Sequence, residues 1–245
     1  MSQPDVIDDL EAEQDQLEAL LGKLSPADWV RPSAAAGWSV ADVVLHLAQT
    51  EEAVSAVLAG SPVDWRGYGP NVDDAMAAMV HAQRAAPAVI HDRWRSARRA
   101  AIASLRAADP QRPVPWVVTS FKPRTLATTR LAEHWAHALD IATPLGLDYP
   151  DTMRLRHVAW LGHSTLPYAF SLAGLPPAPV FADLTAPDGS AWRLGDPDAE
   201  SAITGDAAAF CRVGARRLAP ADSGLTTRGP HGADALRLLR NYADT

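Results

Sequence analysis

The residues best suited to chemistry lie in one short stretch, Arg130-Leu-Ala-Glu133-His134-Trp-Ala-His137-Ala-Leu-Asp140. Glu133 and His137 are about one helical turn apart, so a helix projects both side chains from one face. A carboxylate and an imidazole aimed at one point suit a divalent cation such as zinc. A second stretch, Gly37-Trp-Ser39-Val-Ala-Asp42-Val-Val-Leu-His46-Leu, offers His46 as a third candidate ligand. Two imidazoles and one carboxylate leave a coordination position open, the layout of a catalytic rather than a structural centre. His134 points about 100° around the helix from Glu133 and is read as non-ligating. Asp140 can orient the free ring nitrogen of His137, although a surface or helix-end role fits the sequence equally well.

What enters the open position divides the reading. A metal-held thiol ionises at neutral pH and becomes the effective nucleophile. A metal-held water becomes hydroxide instead. The residues alone do not choose between them. The single cysteine, Cys211, lies in the apolar run Phe210-Cys-Arg-Val213 and reads as packing, so a reacting thiol has to come from a co-substrate. Arg130, Arg156, Arg212, Arg216 and Arg217 could hold an anionic thiol co-substrate, and the adjacent pair Arg216 and Arg217 is the candidate cofactor-binding site. No residue is singled out as a catalytic acid or base. There is no Gly-x-Ser-x-Gly, no phosphate-cradling Gly-rich loop and no dinucleotide fingerprint.

Several helices must position these groups. Apolar residues at Ile7, Leu10, Leu17, Leu20 and Leu21 form a helical stripe over 5–23 that breaks at Ser25-Pro26. Ser39 followed by Asp42 resembles a capping box and opens a helix to about Leu58. Further helices are expected over 73–85, from Pro87 to about Ala107, and from Thr125 to Leu145 with Gly146 as terminator. Val117-Val118 reads as a short extended piece between the last two. Such helices joined by short loops suggest a bundle with inward-facing ligands. A helix is expected from Asp151 to about Leu172, and the Pro-rich connector 175–179 then changes the character of the chain. The stretches 180–185 and 191–194, joined through Asp188-Gly189, read as a hairpin. A third strand is expected over 200–204, then helices from Gly205-Asp206 to Leu218 and over 232–242. The expected organisation is a metal-binding helical bundle over 1–150, then a connecting helix and a small α+β domain over 151–245.

The chain has 245 residues, a formal net charge of -7, 47% hydrophobic and 21% charged residues. That acidic balance argues against a nucleic-acid footprint, which needs a basic face. One cysteine excludes an internal disulfide and fits a reducing compartment. The first residues lack the basic and apolar regions of a signal peptide. No apolar run reaches the about 18 residues of a membrane span. A cytoplasmic monomer or homodimer acting on a small molecule is expected.

The segments around His46 and around Glu133 and His137, taken together, resemble the DinB-like superfamily. Within it they are most similar to the mycothiol-dependent maleylpyruvate isomerase branch. Leu155-Arg-His157-Val-Ala-Trp-Leu-Gly162, Leu184 to Trp192, Ile203-Thr-Gly205 and Arg216-Arg217 resemble a metal-binding subfamily of that branch. The resemblance implies a DinB-like four-helix bundle holding one divalent metal, usually zinc, through His46, Glu133 and His137. It also implies a low-molecular-weight thiol such as mycothiol, used in S-transfer or thiol-assisted isomerisation of a small electrophile. Two other readings remain open at this point. One is a hydrolase or lyase using metal-bound water, without a thiol, on a specialised metabolite. The other is a small-molecule binding protein without turnover.

Overall fold

The computed structural model describes residues 5–62, 64–117 and 119–242. Contacts separate the chain into two compact units, with the break between Tyr149 and Pro150.

In the first unit, α1 (Val6–Leu21) begins where the Asp5 carboxylate accepts from the Ile7 amide, and it buries Ile7, Leu10, Leu17, Leu20 and Leu21. This is the stripe expected from the sequence. Next, α2 (Val40–Leu58) starts at a complete capping box: Ser39 Oγ accepts from the Asp42 amide at 3.2 Å, and Asp42 Oδ2 accepts from the Ser39 amide at 2.9 Å. Every residue from Val40 to Gln49 is buried, so α2 is a central helix covered on all sides. A short helix, α3 (Val72–Ala82), is followed by α4 (Pro87–Ala107) and α5 (Pro123–Leu145). Both α4 and α5 place a proline in the first turn, where its missing N–H costs nothing. Gly146 ends α5 at φ +67°, a left-handed conformation that a glycine adopts without a Cβ clash.

The bundle is made by α1, α2, α4 and α5. Helix α2 packs mainly on α4, α1 packs on α5, and α2 also touches α5. Trp94 of α4 and Trp135 of α5 fill the core at 0% and 1% exposure. Between α4 and α5, β1 (Val114–Trp116) and β2 (Thr119–Phe121) form a two-stranded hairpin. The extended structure therefore brackets Val117 instead of including it; Val118 lies outside the described residues. Val117 turns at φ +45°, a conformation that costs a β-branched residue about 1–2 kcal/mol.

The second unit opens with α6 (Leu155–Ser164) and α7 (Leu166–Leu172). The single helix expected from Asp151 is thus two helices, separated at Thr165 just before Pro167. The strands β3 (Val180–Thr185), β4 (Ala191–Leu194), β5 (Ser201–Asp206) and β6 (Thr226–Arg228) form a sheet of order β4-β3-β5-β6. The β3–β4 hairpin is as expected, and β5 runs parallel to β3. The edge strand β6 was not expected; it is three exposed polar residues with no hydrophobic alternation to reveal it. After Asp206 caps it, α8 (Ala207–Gly214) stops four residues short of the expected Leu218. The last helix, α9 (Gly232–Leu238), ends before the expected Tyr242. The fold is the mainly α, DinB-like bundle with a small α+β unit that the sequence indicated. No helix among the described residues is long and apolar enough to cross a membrane.

Asp42 does more than cap α2. Its two oxygens also receive Arg84 Nε at 2.7 Å and Arg84 Nη2 at 2.8 Å. Burial pushes its carboxyl up, but the bonds from Arg84 and Ser39 outweigh it and hold the pKa below the ordinary value. A depressed carboxylate contributes stability that is present above its unfolded pKa and is lost as pH falls through the folded one. Asp42→Ala should therefore cost about 1–3 kcal/mol at pH 7 in urea unfolding. The difference from wild type should shrink below about pH 4. An equal difference at both pH values would reject the charge-based account.

Candidate metal centre

Helix α2 supplies His46, and α5 supplies Glu133 and His137. One ligand atom from each lies within 4.8 Å of the other two. Glu133 Oε2 is 3.6 Å from His46 Nε2 and 3.4 Å from His137 Nε2. These separations exceed good hydrogen bonds, so the three atoms face one another across a gap. The two imidazole rings meet edge-on, with centroids 5.0 Å apart. Trp38, just before the α2 cap, covers both rings, 5.1 Å from His46 and 6.2 Å from His137.

The three groups differ in their electrostatics. The Nδ1–H of His137 donates to the buried Asp140 Oδ2 at 2.9 Å, which leaves Nε2 as the free nitrogen. Burial pulls His137 down, yet the bond to Asp140 and the facing Glu133 outweigh it and raise its pKa. His46 is lowered, chiefly by burial, so its ring is neutral. Its Nδ1 is buried without a hydrogen-bond partner among the described residues. Burial pushes Glu133 up, but the two facing imidazoles, His137 ahead of His46, hold it well below the usual carboxylate range. The sequence left the role of Asp140 open; the structure makes it the orienting partner of His137.

His134 is not part of the cluster. Its Nδ1–H donates to the Arg130 carbonyl at 2.9 Å, and its Nε2 accepts from Trp94 Nε1 at 3.3 Å. Burial, followed by the charge of Arg130, pushes its pKa down to about 3. It is a neutral core group with both ring nitrogens engaged.

The cluster borders a cavity of about 400 Å³ whose lining includes His46, Arg130 and Glu133. Most of the remaining wall is apolar, with Val57, Trp65, Met76, Met79 and Trp116. Sequence reasoning counted Arg130 only as one of five basic candidates and missed its place here. It is 2% exposed; its Nε donates to Glu51 Oε1 at 2.8 Å and its Nη2 to Thr50 Oγ1 at 2.6 Å. The guanidinium also lies 5.9 Å from the centroid of the Trp116 ring. Its position three residues before Glu133, on the same face of α5, was the available signal. Burial pushes the Glu51 carboxyl up in spite of the pull from Arg130.

Arg216 and Arg217 follow α8 in the second unit, and both are exposed. Arg216 adopts φ +56° and stacks over the Tyr242 ring at 5.2 Å. Arg217 Nη1 donates to the Ala215 carbonyl at 2.6 Å. Cys211 is buried, and burial raises its thiol well above the ordinary value, which fits the packing role read from the sequence.

The mycothiol maleylpyruvate isomerase N-terminal domain, as a family, matches residues 10–142 of the chain. The chain belongs to this family. Two Mycobacterium tuberculosis proteins, from strains CDC 1551 / Oshkosh and ATCC 25618 / H37Rv, are each 35% identical to it. Those alignments cover 96% of this chain and 94% of each relative, and both relatives are described as uncharacterized. Among solved structures, a mycothiol-dependent maleylpyruvate isomerase superposes with a TM-score of 0.60 at 15% identity. A histidine-to-alanine mutant of such an enzyme gives 0.61 at 13%. Each superposition covers 91% of both chains. At such identities the superpositions show a shared fold.

Removing one member of the Arg130–Glu51 pair strands the other in the core. Arg130→Gln should cost about 3–5 kcal/mol. Glu51→Gln combined with Arg130→Gln should recover a measurable part of that loss. Urea unfolding of the two singles and the double forms the cycle that measures it; strict additivity would show that the pair does not interact.

Proposed function

We propose that this protein is a metal-dependent enzyme that uses a low-molecular-weight thiol, mycothiol or a close analogue, to act on a small electrophilic metabolite. The reaction is S-transfer or thiol-assisted isomerisation. The observation that carries this reading is the convergence of His46, Glu133 and His137 at the edge of a cavity. Membership of a family described by mycothiol maleylpyruvate isomerase supports the thiol.

The three side chains fit a divalent cation, and zinc suits two nitrogens and one oxygen. His137 is already oriented by a buried carboxylate, as metal-bound imidazoles usually are. When bound, the ion would supply Lewis acidity and a position at which a thiol is held as thiolate. The chain's own residues contribute the rest. Asp140 fixes the His137 ring, Trp38 covers both imidazoles, and the apolar wall keeps water from competing with the thiol. In the reaction itself the thiolate sulfur adds to an electrophilic carbon, and the displaced electron pair moves onto the conjugated carbonyl oxygen. Rotation followed by loss of the same thiolate gives the isomer, whereas retention of the C–S bond with protonation gives the conjugate. Arg216 and Arg217 are proposed to contact the polar body of the thiol; their exposed guanidinium groups support this.

Elemental analysis of purified protein tests the centre. Wild type should carry stoichiometric metal, and His46→Ala should lose it; undiminished metal in that variant would overturn the site. Asp140→Asn should keep the centre with affinity lowered about 10–100-fold. With loaded protein, consumption of an electrophile should require mycothiol. Turnover that persists without any thiol would move the assignment to hydrolysis or elimination.

A further inference from the structure

The cavity beside the metal cluster has a charge distribution that bears on what it accepts. Arg130 is the single cationic side chain among its described lining residues. Glu133 and Asp64 are its acidic ones, and the remainder is largely apolar. Arg130 is itself almost wholly buried. Its Nε and Nη2 are committed to Glu51 and Thr50. Nη1 has no hydrogen-bond partner among the described residues. Arg130 lines the cavity, and a guanidinium nitrogen with donors left over there can give them to an acceptor that enters. Thr50 and Glu51 hold the fork from one side, so the leftover nitrogen is the one that can serve a ligand in the cavity.

We infer that Arg130 seats a single carboxylate of the substrate, and that the rest of the substrate is an apolar or aromatic body lying against Val57, Trp65, Met76, Met79 and Trp116. This rests on the cavity being the substrate site of the proposed enzyme, and it narrows that proposal to a class. Arg130 stands one helical turn from Glu133 on α5. A carboxylate held there therefore places the carbons conjugated to it beside the metal cluster, where a thiolate would attack. An unsaturated acid carrying an aryl or alkyl group meets these conditions. A small dicarboxylate does not. With the ion's open position given to the thiol, its second carboxylate would face Asp64, Glu133 or an apolar wall, and an unpaired buried carboxylate is expensive. The charge of Arg130 is also partly offset by Glu51, so the described lining residues have attraction for one anionic group and little for two.

Binding of three probes to the full chain tests this: cinnamate, cinnamamide and maleate. Isothermal titration calorimetry reads the affinities, and Trp65 and Trp116 in the cavity wall give a fluorescence signal as a check. Because a carboxylate could also reach the metal, each probe is measured on metal-stripped and on metal-loaded protein. Wild type should bind cinnamate about 10–100-fold more tightly than cinnamamide, the range of a hydrogen-bonded charge contact. It should bind cinnamate more tightly than maleate as well, and both preferences should persist without metal. In the paired variant Arg130→Gln with Glu51→Gln, which strands no buried charge, the preference for cinnamate over cinnamamide should vanish. Arg130→Lys, which keeps the charge but loses the fork, should retain part of it, and circular dichroism verifies that both variants fold.

Any of the following results would overturn the inference. These are equal affinity for cinnamate and cinnamamide in wild type, tighter binding of maleate, a preference unchanged in the paired variant, and a preference present only with metal. Absence of saturable cinnamate binding at millimolar concentration would do so too. None of these outcomes touches metal content or thiol dependence, so this inference can fail while the proposed function stands.

Discussion

The contact between α2 and α5 is the constraint on which the site depends. Neither helix holds a complete set of donors: one carries a single imidazole, and the other carries a carboxylate and an imidazole on one face. Helical geometry makes this demanding, because a shift of one residue rotates a side chain by about 100°. A one-position slip of α2 would take His46 off the shared point and put an apolar neighbour there. The registry is held where α2 begins, by a capping box whose aspartate is also gripped by Arg84. It is held through the first half of the helix, Val40 to Gln49, by burial on all sides.

Around that contact the core holds several buried polar groups, a number of them in bonded pairs. His134 sits between Trp94 and the Arg130 carbonyl. Arg130 reaches across to Glu51 and Thr50 on α2. Asp140 holds His137. Elsewhere in the same unit, the Tyr149 hydroxyl donates to the buried Glu13 at 2.6 Å. Directional bonds of this kind add orientation to packing that hydrophobic contact alone leaves permissive. They tie α5 to its neighbours in the turns that also carry Glu133 and His137.

Much of this was readable from residue order because it depends on local rules. The capping box at Ser39 and Asp42, the Pro87 start, the Gly146 stop and the Asp188-Gly189 hairpin each follow from backbone chemistry within a few residues. The spacing of Glu133 and His137 is local in the same sense. That His46 meets them is not; it required the family resemblance, since no helical period relates residues in separate helices. The misses have different causes. The break at Thr165 had a local signal in Pro167, which starts the next helix. The polar strand β6 depends on its partner β5, supplied by the fold, and Arg130 is set apart from other helix cations only by its burial.

The three donor side chains and the aspartate that orients one of them all precede the division after Tyr149. Ligation of an ion by these groups would therefore be thermodynamically coupled first to the folding of that earlier portion. An ion with free concentration a hundredfold above its dissociation constant adds about 2.7 kcal/mol to the state that binds it. The resistance of the two portions to heat would then shift by different amounts with metal supply, so the order in which they melt becomes a property of the surrounding solution as well as of the polypeptide.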